Sequence, residues 1–179
     1  MNNAALELPL LTAEGEAVTL SEFLNSESEY LLVVFLRHLA CIPCVAHLRE
    51  IAAHVDRLRD AGISVVMITQ AEPKILAMFL RHDPQPFPIV ADPSRQSYQA
   101  FGLERARWQD FFHPREIFRY LRLIAGGGRV KKPYAGEDLL QLGGDFLLDR
   151  DGNIHYAYRS RSATDWPTIE ELLSAAKRG

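Results

Sequence analysis

The stretch Phe35–Cys44, FLRHLACIPC, carries the chain's only two cysteines, Cys41 and Cys44, with Pro43 between them and Arg37 and His38 just ahead. Two thiols at this spacing can hold a redox-active pair. The thiolate form of one attacks an electrophile, and the other then closes a disulfide by exchange or through a sulfenic acid. The residues before the pair, Tyr30–Leu36 (YLLVVFL), form a continuous apolar run of the kind found in strands buried on both faces. Those after it, Val45–Asp60, place apolar residues at 45, 48, 51, 52, 55 and 58, a helical period that Gly62 ends. The cysteines therefore stand where a strand gives way to a helix. There, unpaired backbone N–H groups and the positive end of the helix dipole favour an anion. With Arg37 and His38 beside it, a cysteine so placed is expected to ionise more readily than a free one. Pro43 constrains the loop and suits a first helical turn. Cys41, at the opening of the helix, is the expected attacking thiol and Cys44 its partner.

Other uses of the pair fit less well. A structural disulfide closing so short a loop removes little entropy from the unfolded chain. Cys41, Cys44 and His47 could gather around zinc, but a closed zinc site takes four protein ligands and a second thiol pair is missing. An iron–sulfur cluster needs more thiols. Covalent haem needs His directly after the second cysteine, where Val45 stands.

The elements that must position this pair are legible along the chain. A short strand is expected at Ala17–Thr19, with Ser21 capping a helical turn. A second buried strand is expected at Ile63–Thr69, a helix from Pro73 to Arg81, a short strand at Ile89–Ala91 and a short helix from Ser94 to Phe101. Strands at Asp145–Leu148 and Asn153–Tyr158 flank the turn signal Asp149–Gly152, and Trp166-Pro167 opens a last helix. Buried strands alternating with helices predict an α/β fold with a central mixed sheet, its last pair antiparallel. At 179 residues and 47% hydrophobic composition, one domain over 1–179 with its own core is expected. The net charge of −3 argues against a uniformly basic nucleic-acid binder, and no apolar run approaches the ~20 residues that span a bilayer. The first residues lack a secretory pattern, which points to a reducing compartment, the cytoplasm. Glu104–Lys132 differs in composition, with eight Lys/Arg against three Asp/Glu among Trp108, Phe111, Phe112, Phe118, Tyr120 and Leu121. It reads as a helical insertion over the site, a homodimer surface, a lipid- or nucleic-acid-binding element, or an ordinary amphipathic helix.

At this point the chain resembles the thioredoxin-like superfamily and, within it, the peroxiredoxin (AhpC/TSA) branch. The resemblance runs through LPLLTAEGEAVTLSEFL, YLLVVFLRHLACIPC, PFPIVADPSRQSYQAFGL and GGDFLLDRDGNIHYAY in that order. It departs from that branch's Pro-x-x-x-Thr-x-x-Cys motif, with Val34 at the proline and His38 at the threonine, and Gly143 stands where a second active-site arginine is usual. Phe-x-Arg-x-x-x-Cys-x-x-Cys, GGDFLLD and YRSRSATDWP look instead like the peroxiredoxin-like 2 (AhpC-TSA_2) group. The resemblance implies a thioredoxin-like fold with a helical insert around 104–132. It also implies a thiol peroxidase that reduces hydrogen peroxide or an organic or lipid hydroperoxide through Cys41 and Cys44. Such an enzyme binds no cofactor and is recharged by a thioredoxin-type dithiol. Arg37, His38 and, from the end of the last strand, Arg159 are the candidates to replace the missing donors. A protein disulfide oxidoreductase, favoured by the bare Cys-x-x-Cys, and a non-catalytic redox-sensing or zinc-holding module are the alternatives.

Overall fold

The computed structural model describes residues 5–24, 28–107, 114–126, 132–134 and 136–178, without the side chains at 115 and 116. Its centre is the apolar run, strand β3 (Tyr30–Phe35), every residue of which is buried. Burial on both faces follows from its place in the sheet. The strands before it are β1 (Leu10–Leu11) and β2 (Ala17–Val18), and those after it are β4 (Ile63–Thr69), β5 (Ile89–Ala91), β6 (Gly144–Asp149) and β7 (Ile154–Arg159). The seven described strands lie in the order β2-β1-β5-β4-β3-β6-β7. β3 pairs parallel with β4 and antiparallel with β6, β4 pairs parallel with β5, and the remaining pairs are antiparallel. The sheet is mixed, as the sequence predicts.

Alternate residues of β3 serve two cores. Tyr30, Leu32 and Val34 pack with Leu48, Ile51, Leu58, Phe79 and Leu172. These come from α1 (Ile42–Ala53), α2 (Val55–Asp60), α3 (Pro73–His82) and α6 (Ile169–Ala176). Leu31, Val33 and Phe35 pack on the other face with Tyr98 of α4 (Gln96–Ala100), Phe101 and Phe146. The Phe35 ring contacts those of Tyr98, Phe101 and Phe146 at centroid distances of 4.9, 4.9 and 5.7 Å. Helices on both faces of a mixed sheet make the thioredoxin-like α/β class expected from the sequence.

Three local details differ from the sequence reading. The long helix begins earlier, at Ile42, and breaks at His54 (φ −117°, ψ 12°). The His54 ring nitrogen donates to Glu50 O at 2.8 Å, the carbonyl a continuing helix would give to the His54 backbone N–H. That N–H turns to Ile51 O instead. Thr19, not Ser21, caps the 3-10 turn Leu20–Phe23, in a capping box with Glu22. Thr168 does the same for α6 with Glu171, one residue after the Trp166-Pro167 signal. Within the basic segment, α5 (Pro114–Ala125) is helical and leaves Ile117, Phe118 and Leu121 exposed. Trp108, Phe111, Phe112 and the glycines at 127 and 128 lie outside the described residues.

Candidate active site

The end of β3 launches the cysteine loop and is tied down there. The buried Tyr98 hydroxyl donates to Leu36 O at 2.6 Å and lies 3.2 Å from Ile68 O. Cys41 N donates back to His38 O at 3.1 Å, closing a turn. Cys41 is then the N-cap of α1, Pro43 sits in its first turn and Cys44 follows one position later. Proline costs nothing there, since its missing N–H would have had no helical partner. Both cysteines are free, both are buried, and their side chains approach to 3.0 Å.

Arg37 leads the loop from a buried position. Its guanidinium donates through Nε to Gln141 O at 3.1 Å and through Nη2 to Leu139 O at 2.6 Å, and Nη1 reaches Cys41 Sγ at 3.5 Å. A fork held by two carbonyls can aim its third nitrogen at one point. Those carbonyls belong to a strap, residues 136–142, that clamps the cysteine loop in other ways too. Glu137 Oε1 accepts from Leu39 N at 3.1 Å, and Gln70 bonds to Arg37 O on one side and to Asp138 N and O on the other. The sequence shows no sign of Gln70, Glu137 or Gln141 at this site, because their role depends on a loop 98 residues away folding back over the cysteines.

The electrostatics divide the pair. Burial pushes the Cys44 thiol up, but the Cys41 S–H, the Arg37 guanidinium and backbone groups of Arg37 and His38 outweigh it and lower the thiol to about 6. Cys41 moves the other way. Its proton is engaged by Cys44, burial disfavours a second charge, and the Cys44 thiolate repels one, so its thiol is held well above the ordinary range. The Cys41 S–H is engaged by Cys44, and Cys44 is the thiol favoured to ionise. His38 does not help that ionisation. Burial, then the neighbouring Arg37, lowers its pKa to about 4, so it is neutral near pH 7. The positive charge that the sequence assigned to Arg37 and His38 together belongs to Arg37 alone.

Arg159 is not brought to the sulfurs by any contact described. Its Nε donates to Phe101 O at 2.9 Å and its guanidinium lies 5.0 Å over the Phe146 ring, on the face opposite the cysteines. Gly143 has a steric reason to be glycine, since a Cβ there would collide with Phe35 O. No side chain, arginine least of all, fits at that position without moving the strand.

A buried pair lies one helical turn beyond Cys44. His47 Nε2 and Asp145 Oδ1 are 2.8 Å apart, with the imidazole stacked on Trp166 at 5.4 Å. Burial opposes the imidazolium, but Asp145, with Glu50 and Cys44 at longer range, prevails and raises its pKa. His47 Nε2 is committed to Asp145. Among the described residues no group of three or more His, Cys, Asp and Glu side chains is arranged to hold a metal. The sequence marks His47 only as a possible zinc ligand beside Cys41 and Cys44, and its partner Asp145 is 98 residues away.

A strand, a Cys-x-x-Cys helix opening and an antiparallel closing pair on a mixed sheet define a thioredoxin-fold protein of the peroxiredoxin type. Residues 50–162 match the family model described as AhpC/TSA antioxidant enzyme. This chain therefore belongs to the AhpC/TSA antioxidant enzyme family. The match covers well over half the chain and begins beyond the two cysteines. Thioredoxin-like protein AAED1, chloroplastic, of Arabidopsis thaliana is 25% identical over 173 residues, covering 93% of this chain and 68% of its own length. Among solved structures, peroxiredoxin Q of Xanthomonas campestris superposes with a TM-score of 0.62 at 17% identity, covering 99% of this chain and 95% of its own. A cysteine-to-serine mutant of PrxQ from Xylella fastidiosa gives 0.65 at 16%, with 99% and 92% coverage. At that identity these two show the fold.

Proposed function

We propose that the protein is a thiol peroxidase in which Cys41 attacks and Cys44 resolves. The observation that carries this reading is the arrangement of two free, adjacent sulfurs at the start of α1 with Arg37 Nη1 at 3.5 Å from Cys41 Sγ. Cys41 attacks the terminal oxygen of a peroxide as its proton passes to the Cys44 thiolate. The O–O bond breaks, the sulfur becomes a sulfenic acid, and the departing oxygen takes the proton and leaves as an alcohol or water. Arg37, fixed by Gln141 O and Leu139 O, stabilises the charge that develops on the oxygens. Cys44, again a thiolate, attacks the sulfenic sulfur. A hydroxide leaves and is protonated, and a Cys41–Cys44 disulfide remains. Two electrons have gone from the thiols to the peroxide. A thioredoxin-type dithiol in a reducing compartment such as the cytoplasm restores them, in line with the family's general use of such donors and of no bound cofactor. Arg159 has no part in this scheme.

The test is rapid mixing of the reduced protein with one equivalent of hydrogen peroxide, read by intact mass. Wild type is expected to lose two hydrogens quickly. Cys44→Ser is expected to accumulate a sulfenic acid, and Cys41→Ser to accumulate none. Thiol loss no faster than that of free cysteine would defeat the peroxidase reading for this oxidant. A sulfenic acid in Cys41→Ser would instead reverse the assignment. A protein disulfide oxidoreductase is the second reading. It is favoured by the absence at His38 and Gly143 of the usual peroxiredoxin threonine and arginine, and rapid reduction of insulin without peroxide turnover would select it.

A further inference from the structure

Helix α5 packs against α1, and the residues it turns inward are Arg119, Tyr120, Leu123 and Ile124, all half-buried. Its exposed residues include Ile117, Phe118, Leu121, Arg122 and Ala125. The two sets are two residues out of step, which at about 3.6 residues per turn puts them on opposite faces of the helix. A surface helix normally buries one apolar stripe and shows water a polar one. Here the inner face is mostly apolar, and this outer set is apolar except for Arg122. Phe118 stays 68% exposed and Leu121 58%, with Ile117 one turn back along the same stripe. Among the described residues, the exposed large hydrophobic side chains are these three and Leu139 of the strap. Single exposed apolar residues are ordinary, but a contiguous stripe marks a contact surface.

Charge says what covers the stripe. The segment that contains α5, Glu104–Lys132, carries eight Lys/Arg against three Asp/Glu, although the whole chain is at −3. A second copy paired symmetrically through α5 would set one such segment against the other, and the like charges would repel. Three side chains also fall short of the roughly 800 Å² per partner that a stable protein interface buries. Single-stranded nucleic acid binds by stacking its bases on aromatic rings, and of the three only Phe118 is aromatic. An anionic lipid surface matches both features, because apolar side chains enter the acyl boundary while cations meet the phosphates. α5 has 12 residues, a length of about 18 Å, and among the described residues no helix is long and apolar enough to cross a membrane. Its place is therefore in the plane of the surface. We propose that the outer face of α5 docks the protein reversibly on anionic phospholipid, with Ile117, Phe118 and Leu121 in the lipid and Arg122 at the phosphates. This contact is separate from the thiol reaction and does not depend on it.

Co-flotation of the full chain with vesicles is the test. Vesicles of equal parts phosphatidylcholine and phosphatidylserine are expected to carry the reduced protein up a density gradient, and vesicles of phosphatidylcholine alone to carry much less. Added salt is expected to weaken the binding. Phe118→Ser/Leu121→Ser is expected to lower the partition coefficient by about tenfold or more, and Arg122→Gln by about fivefold. These side chains are exposed, so the melting temperature should stay at the wild-type value. Failure to float with the anionic vesicles would overturn the proposal. Equal flotation with the neutral ones, or a double serine variant that floats like wild type, would do the same. So would a dimer in sedimentation equilibrium that the double variant dissociates, because the stripe would then belong to a second copy. The comparison of lipids and salt uses the wild-type chain, so it decides the matter even where a substitution disturbs the fold. None of these readouts involves the cysteines, and the outcome is separable from that of the hydrogen peroxide experiment.

Discussion

Replacing Cys41 by alanine and by serine separates the effect of its hydrogen bond from the rest of the site. The Cys44 thiol lies at about 6 against an ordinary value of 9.0, although burial alone would push it upward. The Cys41 S–H, Arg37 and backbone groups more than offset that burial. In Cys41→Ala the donated proton is lost while Arg37 keeps its anchors at Gln141 O and Leu139 O. A hydrogen bond to a charged group is worth roughly 1.5–3 kcal/mol, and 1.36 kcal/mol is one pKa unit. The Cys44 thiol should therefore climb by about one to two units in Cys41→Ala. In Cys41→Ser a hydroxyl still donates, and the thiol should stay near 6. Each variant contains a single thiol, so the titration needs no assignment. Ultraviolet absorbance of the thiolate reads it without a reagent having to reach a buried sulfur. Equal midpoints in the two variants would show that the shared proton does not hold the charge on Cys44. The mechanism proposed above would then lose its acceptor for the Cys41 proton.

Two further outcomes follow from the same loop. His38, lowered to about 4, is neutral in the folded protein and charges more easily once unfolded. The unfolded state therefore binds more protons between about 6.5 and about 4, and this histidine withdraws stability as pH falls through that window, by about 3 kcal/mol at most. In His38→Asn, denaturant unfolding should lose that part of its acid sensitivity, and an unchanged pH profile would refute the assignment. Gly143→Ala places a Cβ against Phe35 O at the β3–β6 register and should cost about 2 kcal/mol or more of stability, read from the denaturation midpoint. Wild-type stability in that variant would mean that the strands separate easily there.

What the sequence makes legible here is what local pattern determines. The apolar run Tyr30–Phe35 can only be a strand buried on both faces, and β4 and β6 cover its edges. Cys41 and Pro43 mark the start of α1, and Asp149–Gly152 turns as its composition says, with Asp149 Oδ1 accepting from Asp151 N and Asn153 N. The helix break at His54 is less visible, because it depends on one ring nitrogen taking a carbonyl from its own helix. The surroundings of the sulfurs are less visible still. Gln70, Glu137, Gln141 and Asp145 reach the site across sequence separations that carry no periodic signal.

The same distinction explains the departure from the peroxiredoxin pattern at Gly143. Gly143 pairs through its neighbour Gly144 with Phe35 and Arg159, at the point where β6 enters the sheet beside β3. With no room for a side chain at 143, a cation cannot reach the sulfurs from that strand, and Arg159 on the adjoining strand is held on the far face by Phe101 O and Phe146. The remaining route is from the loop itself. Arg37 takes it, and the strap supplies the carbonyls that aim it. A guanidinium used in this way cannot be exchanged for lysine, which has no fork to satisfy two carbonyls and a sulfur at once. Arg37→Lys should thus leave the charge near the site while losing its direction. The physical content of the site is the aim of one buried arginine at Cys41, set by backbone carbonyls that no motif records.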